Sequence, residues 1–157
     1  MVGEDGSALI EFTLVAPLLV VMSIYTMDFG LYFYRNMQVQ NAAQAGVDWA
    51  IANRIFNDAA IRAAATNATN YTVSLPTDSL NPNPQLQCGC PSSTGVVTSG
   101  YTYNTPTATC IPACPNGSVP GRYVTVQTQA TWDSFVRYGL FSSANRDVRA
   151  RATARIQ

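Results

Sequence analysis

An apolar run from Phe12 to Tyr34, entered through a single carboxylate at Glu11, constrains this chain more than any other feature. As a helix its roughly 23 residues reach about 35 Å, enough to cross a hydrocarbon core of about 30 Å with some tilt. An ionisable group at the edge of such a helix is costly, which makes Glu11 a candidate functional residue. Tyr25, Tyr32, Phe33 and Tyr34 gather toward the far end, as interfacial aromatics do, and Arg35 ends the run. Pro17 removes a backbone donor inside the run, a defect that membrane helices tolerate better than soluble ones. Asp28, near the end of the run, is expected at the membrane interface, with its carboxylate in reach of water. A cleaved secretory signal would need a basic segment before the run and a small-residue cleavage site after it. Glu4 and Asp5 precede the run instead, and Ala43 to Ala45 lie within a continuing helical pattern.

That pattern predicts one long helix. Val39, Ala43, Val47, Ala50, Ile51, Ile55 and Ala59 recur at three- and four-residue spacing, with polar residues between them. The segment from Asn41 to Gly46 is rich in small side chains, which permits close approach of another helix or of a sheet. Trp49 and Phe56 read as packing anchors. The periodicity fades after Ala65, so the expectation is a nearly unbroken helix of about 55 residues and about 80 Å.

The remainder reads as β-rich. Residues 71–75 alternate apolar and polar, as do residues 123–132, in which Val124, Val126, Ala130 and Trp132 share a face. The last strand alternates most clearly: Val148, Ala150, Ala152, Ala154 and Ile156 on one side, with Arg149, Arg151 and Arg155 on a solvated face. Small side chains at 150, 152 and 154 allow a helix to lie close. Phe135 to Phe141 is apolar and aromatic, fit to cover the sheet or to enter a neighbouring subunit. Residues 76–121 form a long loop dense in Pro, Gly, Ser, Thr and Asn, and hold all four cysteines. Bridging Cys88 to Cys90 would be strained, so an oxidising compartment would give 88–110 with 90–114, or 88–114 with 90–110. Zinc is the rival reading, but C-x-C followed by C-x₃-C departs from the usual ligand spacing.

The fold class expected is α+β: a long N-terminal helix, membrane-spanning in its first half, with a small antiparallel sheet packed on its second half. The organisation is a leader-like segment 1–6, a membrane or filament-core helix 7–35, an extramembrane continuation 36–66, and a disulfide-stabilised head 67–157.

Composition excludes several functions. Nine basic residues balance nine acidic ones, so there is no basic field for nucleic acid. The chain has no His, which removes the usual neutral-pH general base. Glu11 and Asp28 stand about 25 Å apart on one helix, too far for joint acid–base work. No glycine-rich phosphate loop follows a strand. The chain reads as no enzyme, with no cofactor.

The stretch from Gly6 to Phe12 resembles the processing site of type IV pilin-like proteins. The longer segment from Gly6 to Ala50 resembles the TadE/TadG-like group of the tight-adherence (Flp) pilus system. The features that carry this are the glycine-to-Glu-Phe spacing, Pro17, Asp28-Phe29-Gly30 and Gln40-Asn41-Ala42-Ala43-x-x-Gly46. The cysteine loop and the last strand are similar more loosely. The resemblance implies cleavage by a prepilin peptidase between Gly6 and Ser7. It implies that Glu11 pairs with the new amine of an adjacent subunit and fixes register, with Phe12, Pro17, Gly30, Ala43 and Gly46 in helix packing. It further implies an inner-membrane assembly platform, homo- or hetero-oligomeric pilin partners, a periplasmic head and eventual display in a pilus. The alternative expectation is an unprocessed, single-pass anchored module that binds a surface through loop 76–121.

Overall fold

The fold is described from a computed structural model over residues 5–77, 82–91, 97–102, 110, 114, 117, 119–132 and 146–156. It is α+β. Helix α1 (Asp5–Asn53) runs 49 residues, about 73 Å. A shorter helix, α2 (Asp58–Asn67), follows. Strands β1 (Gln85–Pro91), β2 (Val97–Thr102), β3 (Gly121–Trp132) and β4 (Arg146–Arg155) form one sheet in the order β2-β1-β3-β4. All three pairings are antiparallel.

The head clasps only the last third of α1. Val39, Ala42, Ala43, Val47 and Ala50 are buried there, at the helical spacing that puts them on one face. They meet the inner faces of β3 and β4, where Val124, Val126, Trp132 and Val148 are also buried. Gly46 is the closest point. A Cβ there would lie 3.3 Å from Ala65 Cβ and from Val126 Cγ1, and 3.4 Å from Ile61 Cγ2. A glycine therefore lets a helix and a strand both approach α1 at one level.

The unbroken helix expected through residue 65 is corrected. Arg54 takes a left-handed conformation, φ 53°, and ends α1. Asn57 then caps α2, its side chain accepting from the Ala60 amide at 3.2 Å. The chain turns back alongside α1, carrying Ile61 and Ala65 onto Gly46, and by Tyr71 it has returned to the level of Tyr34. Ile51, Ile55 and Ala59 consequently leave the buried stripe and are exposed. Trp49 and Phe56 do pack against the core.

Two readings of the head are also corrected. Residues 76–121 are not one long loop, because β1 and β2 lie within them. Residues 71–75 are not a strand. They contribute one bridge, in which Ser74 and Gln129 exchange main-chain hydrogen bonds of 2.8 Å. Between that bridge and β1, the β3 edge is completed by a side chain. Asn83 donates to the Gln127 carbonyl at 2.6 Å and accepts from the Gln127 amide at 2.9 Å. Its amide thus substitutes for the peptide that Pro84, lacking an N–H, does not provide. The same amide nitrogen reaches the Pro76 carbonyl at 2.9 Å, and Arg62 donates to the Asn83 carbonyl. The 135–141 segment lies outside the described residues.

Candidate functional site

The N-terminal part of α1 is an apolar helix that the rest of the chain leaves uncovered. Leu9, Phe12, Leu14 and Met27 are each two-thirds or more exposed. The helix Leu9–Asn53 contains a window long and apolar enough to cross a membrane, none of it buried inside the molecule. Its hydroxyls are satisfied locally: Thr13 donates to the Ile10 carbonyl, Ser23 to Val20 and Thr26 to Met22, at 2.8–2.9 Å. Back-bonding of this kind removes the cost of a hydroxyl in hydrocarbon. Pro17 sits within α1 without ending it.

The residues singled out from sequence fall into two groups along this helix. Gly6 and Ser7 lie in the first turn of α1, and Glu11 follows one turn later with its side chain exposed. Phe12 is exposed, and a Cβ at Gly30 would meet nothing within 4 Å. These positions are thus open to lipid or to another chain. Ala43 and Gly46 are different, since both are buried against this chain's own head. Asp28 is half-buried and has a partner.

An aromatic collar separates the two groups. The Arg35 guanidinium lies 4.5 Å from the centroid of Trp132 and 5.1 Å from that of Tyr71. Tyr32 meets Trp132 edge-on at 5.9 Å, and Tyr34 meets Tyr71 at 6.2 Å. Cation–π contacts and edge-on rings each add to plain apolar burial. The collar joins the end of the apolar run to the segment after α2 and to the end of β3. Sequence reasoning placed Arg35 only as a stop signal. Its partners are 36 and 97 positions away, and no local pattern announces them.

All four cysteines are oxidised: Cys88 pairs with Cys110 and Cys90 with Cys114. Cys88 and Cys90 share one face of β1, so each reaches a separate partner. The zinc reading falls, because the four sulfurs are bonded to one another and no thiolate is left to ligate. Among the described residues no group of three His, Cys, Asp or Glu gathers around a point.

A protein family described as TadE-like protein matches residues 6–48. Over these residues the chain is similar to that family. No curated protein and no solved structure matches the chain. The TadE-like segment begins at Gly6, includes the whole uncovered apolar stretch and Arg35, and continues through Gly46 and Val47 of the buried stripe. The strands and the cysteines lie beyond it.

Proposed function

We propose that this protein is a structural pilin-like subunit of a tight-adherence (Flp) type pilus or secretion filament. It is inserted in the bacterial inner membrane through residues 7–35, with its head in the periplasm. The observation that carries this reading is the division of α1 at Val39. Up to Leu31 the helix is apolar and largely uncovered, Tyr32 to Arg35 then meet the head, and from Val39 on the head buries one face of the helix. A helix so divided suits storage in a bilayer and later packing against the helices of other subunits, since both environments are apolar. The two disulfides suit an oxidising compartment for the head. The TadE-like match over 6–48 supports the same class.

In this reading a prepilin peptidase cuts between Gly6 and Ser7, and an assembly platform extracts the mature subunit. Glu11 then pairs with the Ser7 amine of a neighbour. Two opposite charges in an apolar filament core are tolerable only as a pair, so the contact sets axial register rather than simply adding affinity. The competing reading, an unprocessed anchored module, draws on the disulfides that tie Cys110 and Cys114 to β1. Intact mass and N-terminal sequencing of the protein from its native membrane or filament separate the two. A start at Ser7 in an assembled filament supports the subunit. An uncut N-terminus in a monomer overturns processing and the amine–Glu11 pair together.

A further inference from the structure

We propose that the cavity beside Arg35 is a binding site for the headgroup phosphate of a glycerophospholipid. The cavity measures about 200 Å³ and is lined by Arg35, Val39, Tyr71, Thr72, Ala130 and Thr131. It opens where the uncovered apolar stretch ends. The inference rests on the reading that residues 12–34 cross the bilayer, since that span puts Arg35 at the level of the lipid headgroups.

Three observations converge on a phosphate. The guanidinium carbon lies over the rings of Trp132 and Tyr71. A guanidinium held over aromatic rings keeps N–H groups for an oxyanion, and its planar fork matches two oxygens of one phosphate. The ion pairs Arg62–Asp58 and Arg149–Asp147 involve no residue that lines the cavity, and neither engages Arg35. Finally, the lining combines this cation and the polar residues Tyr71, Thr72 and Thr131 with the apolar Val39 and Ala130. That mixture suits a phosphodiester joined to a glycerol backbone, whose acyl chains would follow the uncovered face of α1 into the bilayer. A bound lipid would then hold the head at a fixed height above the membrane until extraction strips it away.

The test uses the full chain in maltoside micelles, with the Arg35 Nε–Hε resonance as the readout, assigned by its loss in Arg35→Lys. Dihexanoyl phosphatidylglycerol, inorganic phosphate and dihexanoyl glycerol are titrated separately. The expected result is a saturable shift with the phospholipid, about tenfold or more tighter than with inorganic phosphate because buried acyl carbons add affinity. The phosphate-free lipid gives none. Thr72→Val with Thr131→Val keeps the stacked guanidinium and is expected to weaken phospholipid binding several-fold, so the proposal does not depend on the folding of an Arg35 variant. No saturable shift with phospholipid overturns the site, and equal affinity for inorganic phosphate overturns the lipid as its source. Protease protection of the head in sealed vesicles reads the membrane span independently. A protected head with an unresponsive Arg35 defeats the site and leaves the span standing.

Discussion

The Thr128 hydroxyl donates to the main-chain carbonyl of Val39 at 2.8 Å, a buried bond that links β3 to α1 at the point where the head takes hold of the helix. The Val39 carbonyl also lies within α1, so the helix supplies it a second donor. Thr128→Val keeps the volume, removes the hydroxyl and leaves that carbonyl paired. The expected loss is about 1 kcal/mol of head stability, seen as a small fall in the thermal midpoint with no change in membrane association.

Gly46 separates two costs. Ala at this position gains up to about 1 kcal/mol of helix propensity. Its Cβ, however, needs a few tenths of an ångström from Ala65, Ile61 and Val126. Both α2 and the Val126 side chain of β3 must give by that amount, which offsets the propensity gain, so Gly46→Ala is expected within about 1 kcal/mol of the parent. Gly46→Leu has no such room and is expected to undock α2, with a loss of about 3 kcal/mol or more. Urea titration followed by Trp49 fluorescence measures both. A strongly destabilised Ala variant would show that α2 is rigidly placed.

Asn83 is 3% exposed and its side chain makes three hydrogen bonds, two of them to Gln127. Asn83→Ala leaves the Gln127 amide and carbonyl on the β3 edge without that partner, at an expected cost of about 2–3 kcal/mol. Asn83→Asp is expected to cost more, because a carboxylate then faces the carbonyls of Pro76 and Gln127 with no proton to donate. Amide exchange at Gln127, fast in both variants and slow in the parent, localises the effect.

The two disulfides close loops of 22 and 24 residues. Chain entropy makes each worth about 3 kcal/mol. Cys88→Ser with Cys110→Ser removes one bond and should leave no titratable thiol. Cys88→Ser with Cys114→Ser removes one partner from each bond and should cost roughly twice as much by the same reasoning. Trypsin alone does not distinguish the pairings, since there is no Lys or Arg between Arg62 and Arg122. Thiol counts on the two double variants do.

Glu11 is exposed at the start of the uncovered stretch and touches nothing needed by the head. Glu11→Ala is therefore expected to leave membrane insertion and head stability intact and to abolish incorporation into a filament. Membrane fractionation and filament shearing read the two effects separately. Normal assembly of this variant would sink the registration role.

Much of the helix was legible because its evidence is local. The stripe at Val39, Ala43, Val47 and Ala50 follows a 3.6-residue period, and those side chains are buried. Strands β3 and β4 were legible for the same reason, by alternation. The break after Asn53 carried a signal that the periodicity masked: Asn57 followed by Asp58 is an N-cap with an acid in the first turn. Strand β1 gave little, since Gln85-Leu86-Gln87-Cys88-Gly89-Cys90-Pro91 holds few β-forming residues. Its place is set by pairing with β3, by the Asn83 side chain and by the two disulfides.

By itself, then, the sequence determined an apolar helix of membrane length with an acid at its entrance, an α+β head and a disulfide set with two possible pairings. Hydropathy and periodicity act within a turn or two of chain, and a string of residues displays them directly. The tertiary structure alone decided the return of α2 onto Gly46, the 88–110 and 90–114 pairing, and the enclosure of Arg35 by Tyr71 and Trp132. Each of those joins residues distant in sequence, and only the packing of the sheet on α1 brings them into contact.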